Sequence, residues 1–267
     1  MIPKIIHYCW FGKGEMPKEQ IKYISEWKRL MPEYKFICWN EDNMNLKISP
    51  FLSQAYESGK FAFVADYTRL YALYTVGGIY MDTDVRVRRK FDEFLKYSFF
   101  TSYEFHPKYR EYDKILSMID SDGNRITKDK MIKIPGVGLM SAIIAAEKGN
   151  GFVKDCLNMY ENMTYAEARE KNYTIPSTLA ITAEKYGFKY INKFQLLDGN
   201  IAIFPTHIFA DYRTATKNSV AIHNVAGSWN DNNTLSTNIK NHLYKIRMIR
   251  TLYMNIRNLF EKHPLKY

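Results

Sequence analysis

Between Phe61 and Val76 the apolar positions Phe63, Tyr67, Leu70, Tyr71 and Tyr74 recur at a 3.6-type spacing, which predicts a core-facing helix. Gly77 and Gly78 end it, because glycine takes the left-handed backbone that closes a helix C-terminus. Ile79 to Met81 is then short and apolar, as expected of a buried strand. A first strand is predicted in the apolar and aromatic run Ile2 to Trp10, followed by a turn at Phe11-Gly12-Lys13-Gly14, and a late strand at Ser219 to Ile222. Ile134 to Met140 reads as a Gly-rich loop leading into an amphipathic helix over Ser141 to Lys148, with Gly149-Asn150-Gly151 behind it. Thr174 to Leu179 begins another helix, with an early Pro176 and a Ser or Thr cap. Phe204 to Phe209 reads as a strand and turn.

Helices and strands mixed in this way, in a chain of 267 residues of which 46% are hydrophobic, predict one α/β domain over residues 1–239. The remaining segment, 240–267, carries an apolar stripe at helical spacing (Leu243, Ile246, Ile249, Leu252, Tyr253, Ile256, Phe260). Seven basic residues stand beside that stripe against a single acid, Glu261. Such a helix either lies on an anionic membrane surface, where each basic side chain contributes about 1 kcal/mol, or packs its stripe on the α/β domain. The formal charge of +10 also suits nucleic acid, but no nucleic-acid-binding motif accompanies it, so nucleic acid is not an expected partner. There is no 18-residue apolar run to span a membrane, and the entry directly into a strand leaves no room for a signal peptide. Cys9, Cys38 and Cys156 have no metal-type spacing and cannot all pair, which predicts a reducing, cytoplasmic setting.

The candidate chemistry begins where the strand Ile79 to Met81 runs out, at Asp82-Thr83-Asp84. Two carboxylates one residue apart share a face if the strand continues, and can divide direct and indirect contacts to a hard cation if the chain turns away. Mg2+ and Mn2+ commonly take one or two carboxylates together with phosphate oxygens and water, so a metal-diphosphate site is the natural reading. Asp-x-Asp alone is common in solvated turns, and its weight here comes from context. Asp66 and Arg69 lie three apart on one face of the preceding helix, as a surface ion pair or as a carboxylate and a cation for sugar hydroxyls or phosphate. Trp10 ends the first predicted strand, where open α/β sheets bind ligands, and offers either a core indole or a face for a nucleobase. His223 follows the late strand and could complete the shell of Mn2+ better than that of Mg2+.

Three blocks of the chain together resemble a known family. Ile-Pro-Lys-Ile-Ile-His-Tyr-Cys-Trp-Phe-Gly from Ile2, Ala65-Asp66-Tyr67-Thr68-Arg69-Leu70-Tyr71, and Gly77-Gly78-Ile79-Tyr80-Met81-Asp82-Thr83-Asp84 are similar to the DXD-containing glycosyltransferases of family 32. That family includes capsular polysaccharide transferases and yeast mannosyltransferases, and the catalytic domains of clostridial glucosylating toxins are similar. The resemblance runs from Ile2 to about Trp229 and implies a GT-A fold, a Rossmann-like mixed sheet flanked by helices that binds a sugar nucleotide. It also implies site roles. Asp82 and Asp84 match the DXD pair that holds Mn2+ or Mg2+, with His223 completing the metal site; Asp66 and Arg69 match the pair that contacts the donor sugar. Trp10 packs on the base, Tyr80 lies beside the pocket, and Ser228 with Trp229 faces the diphosphate.

The expected reaction is metal-dependent, retaining transfer of a hexose from a nucleotide diphosphate sugar, a UDP-hexose foremost, to an oligosaccharide or lipid-linked glycan acceptor. The expected setting is bacterial surface polysaccharide synthesis, cytoplasmic or peripheral at the inner face of the cell membrane. The alternatives are a toxin-like transfer to a protein hydroxyl, a sugar-nucleotide hydrolase and a binding module.

Overall fold

A computed structural model of the protein describes residues 1–105, 114–115, 117–126, 133–171 and 173–225. Among these, the first half runs β1 (Ile5–Cys9), α1 (Lys18–Leu30), β2 (Lys35–Trp39), α2 (Pro50–Glu57), α3 (Phe61–Thr75), β3 (Gly78–Met81), β4 (Val85–Val87) and β5 (Phe99–Phe105). The second half continues with β6 (Val137–Leu139), β7 (Ile143–Ala146), α4 (Gly151–Glu161), α5 (Tyr165–Glu170), α6 (Ile175–Ala183), β8 (Gln195–Leu197), β9 (Ile201–Phe204), β10 (Phe209–Asp211) and β11 (Ala221–His223).

The main sheet has the order β2-β1-β3-β7-β5-β9-β8, with β6 also paired to β5. β1 is parallel to β2 and β3, β7 is antiparallel to both β3 and β5, and β9 is parallel to β5. This is the mixed, helix-flanked α/β sheet that the sequence predicts. Because β7 is antiparallel to both neighbours, β3 and β5 run the same way, so β1, β3 and β5 all end at one sheet edge, the usual ligand edge of open α/β sheets. A second sheet, β10-β11-β4, has β10 parallel and β4 antiparallel to β11.

Alternation along the strands divides the core into two layers. Tyr80, Phe99 and Tyr103 face Phe51, Tyr67, Leu70, Phe152 and Leu179 on the side of α2, α3, α4 and α6. Ile79, Met81 and Phe100 face Trp27 of α1 together with Phe209 and Ala221 of the small sheet. Trp27 is fully buried and its indole N–H donates to the Val85 carbonyl at 2.8 Å, which fixes β4 beneath the sheet edge.

Between α3 and β3, Gly77 and Gly78 take φ of +76° and +124°. A Cβ on Gly78 would stand 2.5 Å from the Ile5 carbonyl oxygen, and one on Gly77 2.6 Å from the Lys148 nitrogen, so both positions need glycine for space as well as for backbone. His7 is buried beneath this turn. Trp39 donates to its Nδ1 at 3.0 Å, which assigns the proton to Nε2 and makes that nitrogen the donor to the Gly77 carbonyl at 2.8 Å.

The predicted helix over Ser141 to Lys148 is instead β7. Ile143-Ile144-Ala145-Ala146 has no polar position, and an apolar quartet of that kind fits a strand buried on both faces between β3 and β5 as readily as a helix. β1 starts three residues later than expected, after Pro3, which lacks a donor for the ladder. β11 extends one residue further, so His223 is the last strand residue and does not follow the strand. α3, β3 and α6 lie within a residue of their predicted places, although Thr174, before α6, makes no capping bond and pairs its hydroxyl with that of Ser177.

Candidate active site

β3 delivers the first acid. The Asp82 N–H donates to the Ala142 carbonyl at 2.9 Å, and the chain then turns, with Val85 N–H returning to the Asp82 carbonyl at 3.1 Å. That turn brings Asp82 and Asp84 to the same mouth of the sheet. β4 leads from it and pairs with β11 so that His223 stands opposite Val85. The His223 Nε2 lies 3.3 Å from Asp84 Oδ1 and 4.0 Å from Asp82 Oδ2. Asn224, next in sequence, donates through its side chain to the Asp84 carbonyl at 2.9 Å and through its backbone at 3.2 Å, locking the second acid to the end of β11.

Asp82, Asp84 and His223 offer one ligand atom each within 4.8 Å of one another. Two hard oxygens and one imidazole nitrogen suit Mn2+, with Mg2+ favouring all-oxygen shells. The donor set therefore fits a divalent cation. Burial disfavours the imidazolium, but the charge and hydrogen bond of Asp84, with the charge of Asp82, outweigh it and raise His223 to about 9.

On the other flank, α3 places Asp66 and Arg69 together at 2.9 Å, with Arg69 only 5% exposed. Arg69 also lies 3.5 Å from Asp82, donates through Nε to the Ala65 carbonyl at 3.2 Å, and through Nη1 to the Ser141 carbonyl at 2.8 Å. Its guanidinium carbon sits 4.6 Å from the centroid of the Tyr80 ring, whose hydroxyl donates to Asp82 Oδ1 at 2.9 Å. Most of the guanidinium is thus spent within the protein, which makes Arg69 first an organiser of the two acids and only second a donor to a ligand. Burial raises the Asp66 carboxyl to about 7, with Arg69 opposing and Asp82 adding to the shift.

Trp10 lies just past β1, its backbone N–H on the Trp39 carbonyl at 2.9 Å and its indole N–H on the Gly14 carbonyl at 2.7 Å. The loop it starts is held by Glu41, which accepts from Gly12 N–H at 2.7 Å and from the Tyr56 hydroxyl at 3.0 Å. Asp66, Arg69, Tyr80, Asp82, Asp84 and His223 are brought together, and Trp10 flanks them at the neighbouring strand end. Ser228 and Trp229 lie outside the described residues, as does the segment 240–267.

Residues 17–101 match the model of the glycosyltransferase sugar-binding region containing the DXD motif. The chain carries a DXD-type glycosyltransferase region. The matched part includes Asp66, Arg69, Asp82 and Asp84 and leaves Trp10 and His223 outside it. Inositol phosphoceramide mannosyltransferase 3 of Schizosaccharomyces pombe is 34% identical over 100 residues, 36% of this chain and 28% of that protein. An uncharacterized glycosyltransferase of Acanthamoeba polyphaga mimivirus is 33% identical over 119 residues, 42% of this chain and 47% of that protein. The chain therefore spans less than half the length of these relatives. The solved structure of the PaToxG glycosyltransferase aligns over 69% of each chain at 15% identity with a TM-score of 0.49.

Two features of the site were not read from the sequence. The carbonyls of Ser141 and Ala142 receive Arg69 and Asp82, a role that leaves no side-chain signal. Glu104, the penultimate residue of β5, reaches the same edge, and the signal that could have found it is a lone acid at the end of the otherwise uncharged strand Phe99–Phe105.

Proposed function

We propose that the protein transfers a hexose, with retention, from a nucleotide diphosphate sugar to a carbohydrate hydroxyl, with a divalent cation held by Asp82, Asp84 and His223. The observation that carries this reading is the convergence of those three side chains, from segments far apart in the sequence, within 4.8 Å, with both acids inside a DXD-type sugar-binding region. A bound cation would offset the negative charge that develops on the departing diphosphate. Asp66 is the group for the donor sugar's hydroxyls, and Arg69 and the Tyr80 hydroxyl keep Asp66 and Asp82 in place. Trp10 offers its ring to the base, and Ser228 and Trp229 belong to the diphosphate side on sequence grounds alone.

The donor we favour is a UDP-hexose bound with Mn2+. The mannosyl transfer named in the fission yeast relative makes GDP-mannose the second donor to try. The setting we favour is bacterial surface polysaccharide synthesis in the cytoplasm, with residues 240–267 resting on an anionic inner membrane face beside a lipid-linked acceptor. The domain 1–239 then holds all the chemistry. No described helix is long and apolar enough to cross a membrane.

The test is release of nucleoside diphosphate from a panel of sugar nucleotides with Mn2+, with and without glycan acceptors. Acceptor-stimulated release supports transfer. Release that no acceptor stimulates makes the protein a hydrolase, and tight binding without release makes it a binding module.

A further inference from the structure

We propose that Glu104 is a further substrate-binding residue, a carboxylate that accepts hydrogen bonds from the acceptor's hydroxyls and holds the acceptor against the anomeric carbon. This rests on the transfer reading above. Three observations place Glu104. First, β5 runs in the same direction as β3, so Glu104 comes out at the edge that bears Asp82 and Asp84. β7 lies between the two strands and continues back to β6, whose Gly138 pairs with Glu104, so the acids of β3 and β5 stand about two strand spacings apart, roughly 10 Å.

Second, alternation fixes the face. Phe100 stacks on Phe209 with ring centroids 5.1 Å apart, and the Ser102 hydroxyl accepts the Phe209 N–H at 3.0 Å, so the even-numbered side chains of β5 face the small sheet. Glu104 is the next in that series, and the small sheet ends in His223. Tyr103 and Phe105 stack on each other on the opposite face, with centroids 6.3 Å apart. Third, β10 and β11 run parallel from Phe209 opposite Ala221 to Asp211 opposite His223, so the strand whose start Ser102 holds leads to the same end of the small sheet as His223. Glu104 is half-buried, with Oε2 shielded from solvent.

The donor sugar's partners, Asp66 and Arg69, approach from α3 on the Tyr80 face of the sheet, opposite the face from which Glu104 comes. Glu104 approaches from β5, the flank left for the second substrate. In the transfer the acceptor oxygen bonds to the anomeric carbon as the bond from that carbon to the diphosphate oxygen breaks. The electron pair of that bond leaves with the diphosphate, and the hydroxyl proton passes to a departing phosphate oxygen. Glu104 takes no proton and forms no bond; it orients the acceptor.

The experiment compares the full chain with its Glu104→Gln and Glu104→Ala variants, using Mn2+ with UDP-glucose and with GDP-mannose. Nucleoside diphosphate release is followed without acceptor and with p-nitrophenyl glycosides of mannose, galactose and glucose. The expected result is a ratio of transfer to hydrolysis lower by about tenfold or more, with the acceptor KM raised further than the donor KM. Equal loss of transfer and hydrolysis, an unchanged ratio, or a matching loss of Mn2+ affinity by electron paramagnetic resonance overturns the proposal. Glu104→Gln keeps the side chain's shape, so misfolding confined to Glu104→Ala leaves the answer intact. Wild-type protein that releases no nucleoside diphosphate overturns the transfer reading itself, and this role with it.

Discussion

Asp66, Arg69, Tyr80 and Asp82 come from one run of chain, α3 and β3, and close on one another around a guanidinium that is 5% exposed; Asp84 and His223 meet only because β11 returns to pair with β4. The first flank is a buried charge network, in which any missing partner leaves another charge without compensation. The second is held by backbone pairing and by Asn224, so its side chains are less committed to the fold. Stability and chemistry are therefore fused on the Arg69 side and separable on the metal side.

The strongest way to break this contrast is Asp84→Ala. Nucleoside diphosphate release with Mn2+ is expected to fall on the order of a thousandfold, while thermal unfolding without metal, compared above pH 9 where His223 is neutral in both proteins, stays within about 2 °C of the wild type. A large drop in melting temperature would mean that the metal flank is as structural as the other. Arg69→Met should do both kinds of damage. Removing one partner of a buried ion pair costs about 3–5 kcal/mol, and at about 2–4 °C per kcal/mol for a chain of this size the melting temperature falls by roughly 6–20 °C, together with activity. Wild-type melting in that variant would end the distinction from the opposite side.

Gly78→Ala sharpens it, because it disturbs the backbone feeding the acids without touching a charge. A residue forced to φ +124°, with its Cβ 2.5 Å from a carbonyl oxygen, should lose about 1–3 kcal/mol in urea unfolding. An unchanged midpoint would show that the turn relaxes freely. The smallest effect concerns His7, whose burial, opposed by its bond to Gly77, lowers its pKa. The unfolded chain then binds a proton that the folded chain refuses as pH falls through about 6.5, so folding stability is held above that pH and lost below it, by at most about 1.4 kcal/mol per pH unit. His7→Asn should be less stable at pH 7 but flatter between pH 7 and 5; an equally steep profile would assign the slope to other groups.

What the sequence made legible follows the same division. α3, its glycine stop, β3 and the Asp66, Arg69, Asp82 and Asp84 set are local patterns, and the fold carries them almost as predicted. His223 could be placed near a strand end, but its partner strand β4 is three residues long and gives no period to read. β7 was misread because an apolar quartet has no phase, and with it went the neighbours of the site at Ser141 and Ala142. Glu104 was missed for a related reason, since only the strand order brings β5 to the edge that β3 ends on.

The Arg69 guanidinium and the Asp82 backbone hang on two successive carbonyls, Ser141 and Ala142, where β7 begins. Transplanting this site into another scaffold would therefore fail if only the acids and the arginine were copied. The recipient must also present an antiparallel neighbour whose first peptide groups stand at the height of that guanidinium, which makes a side-chain-free dipeptide part of the minimal blueprint.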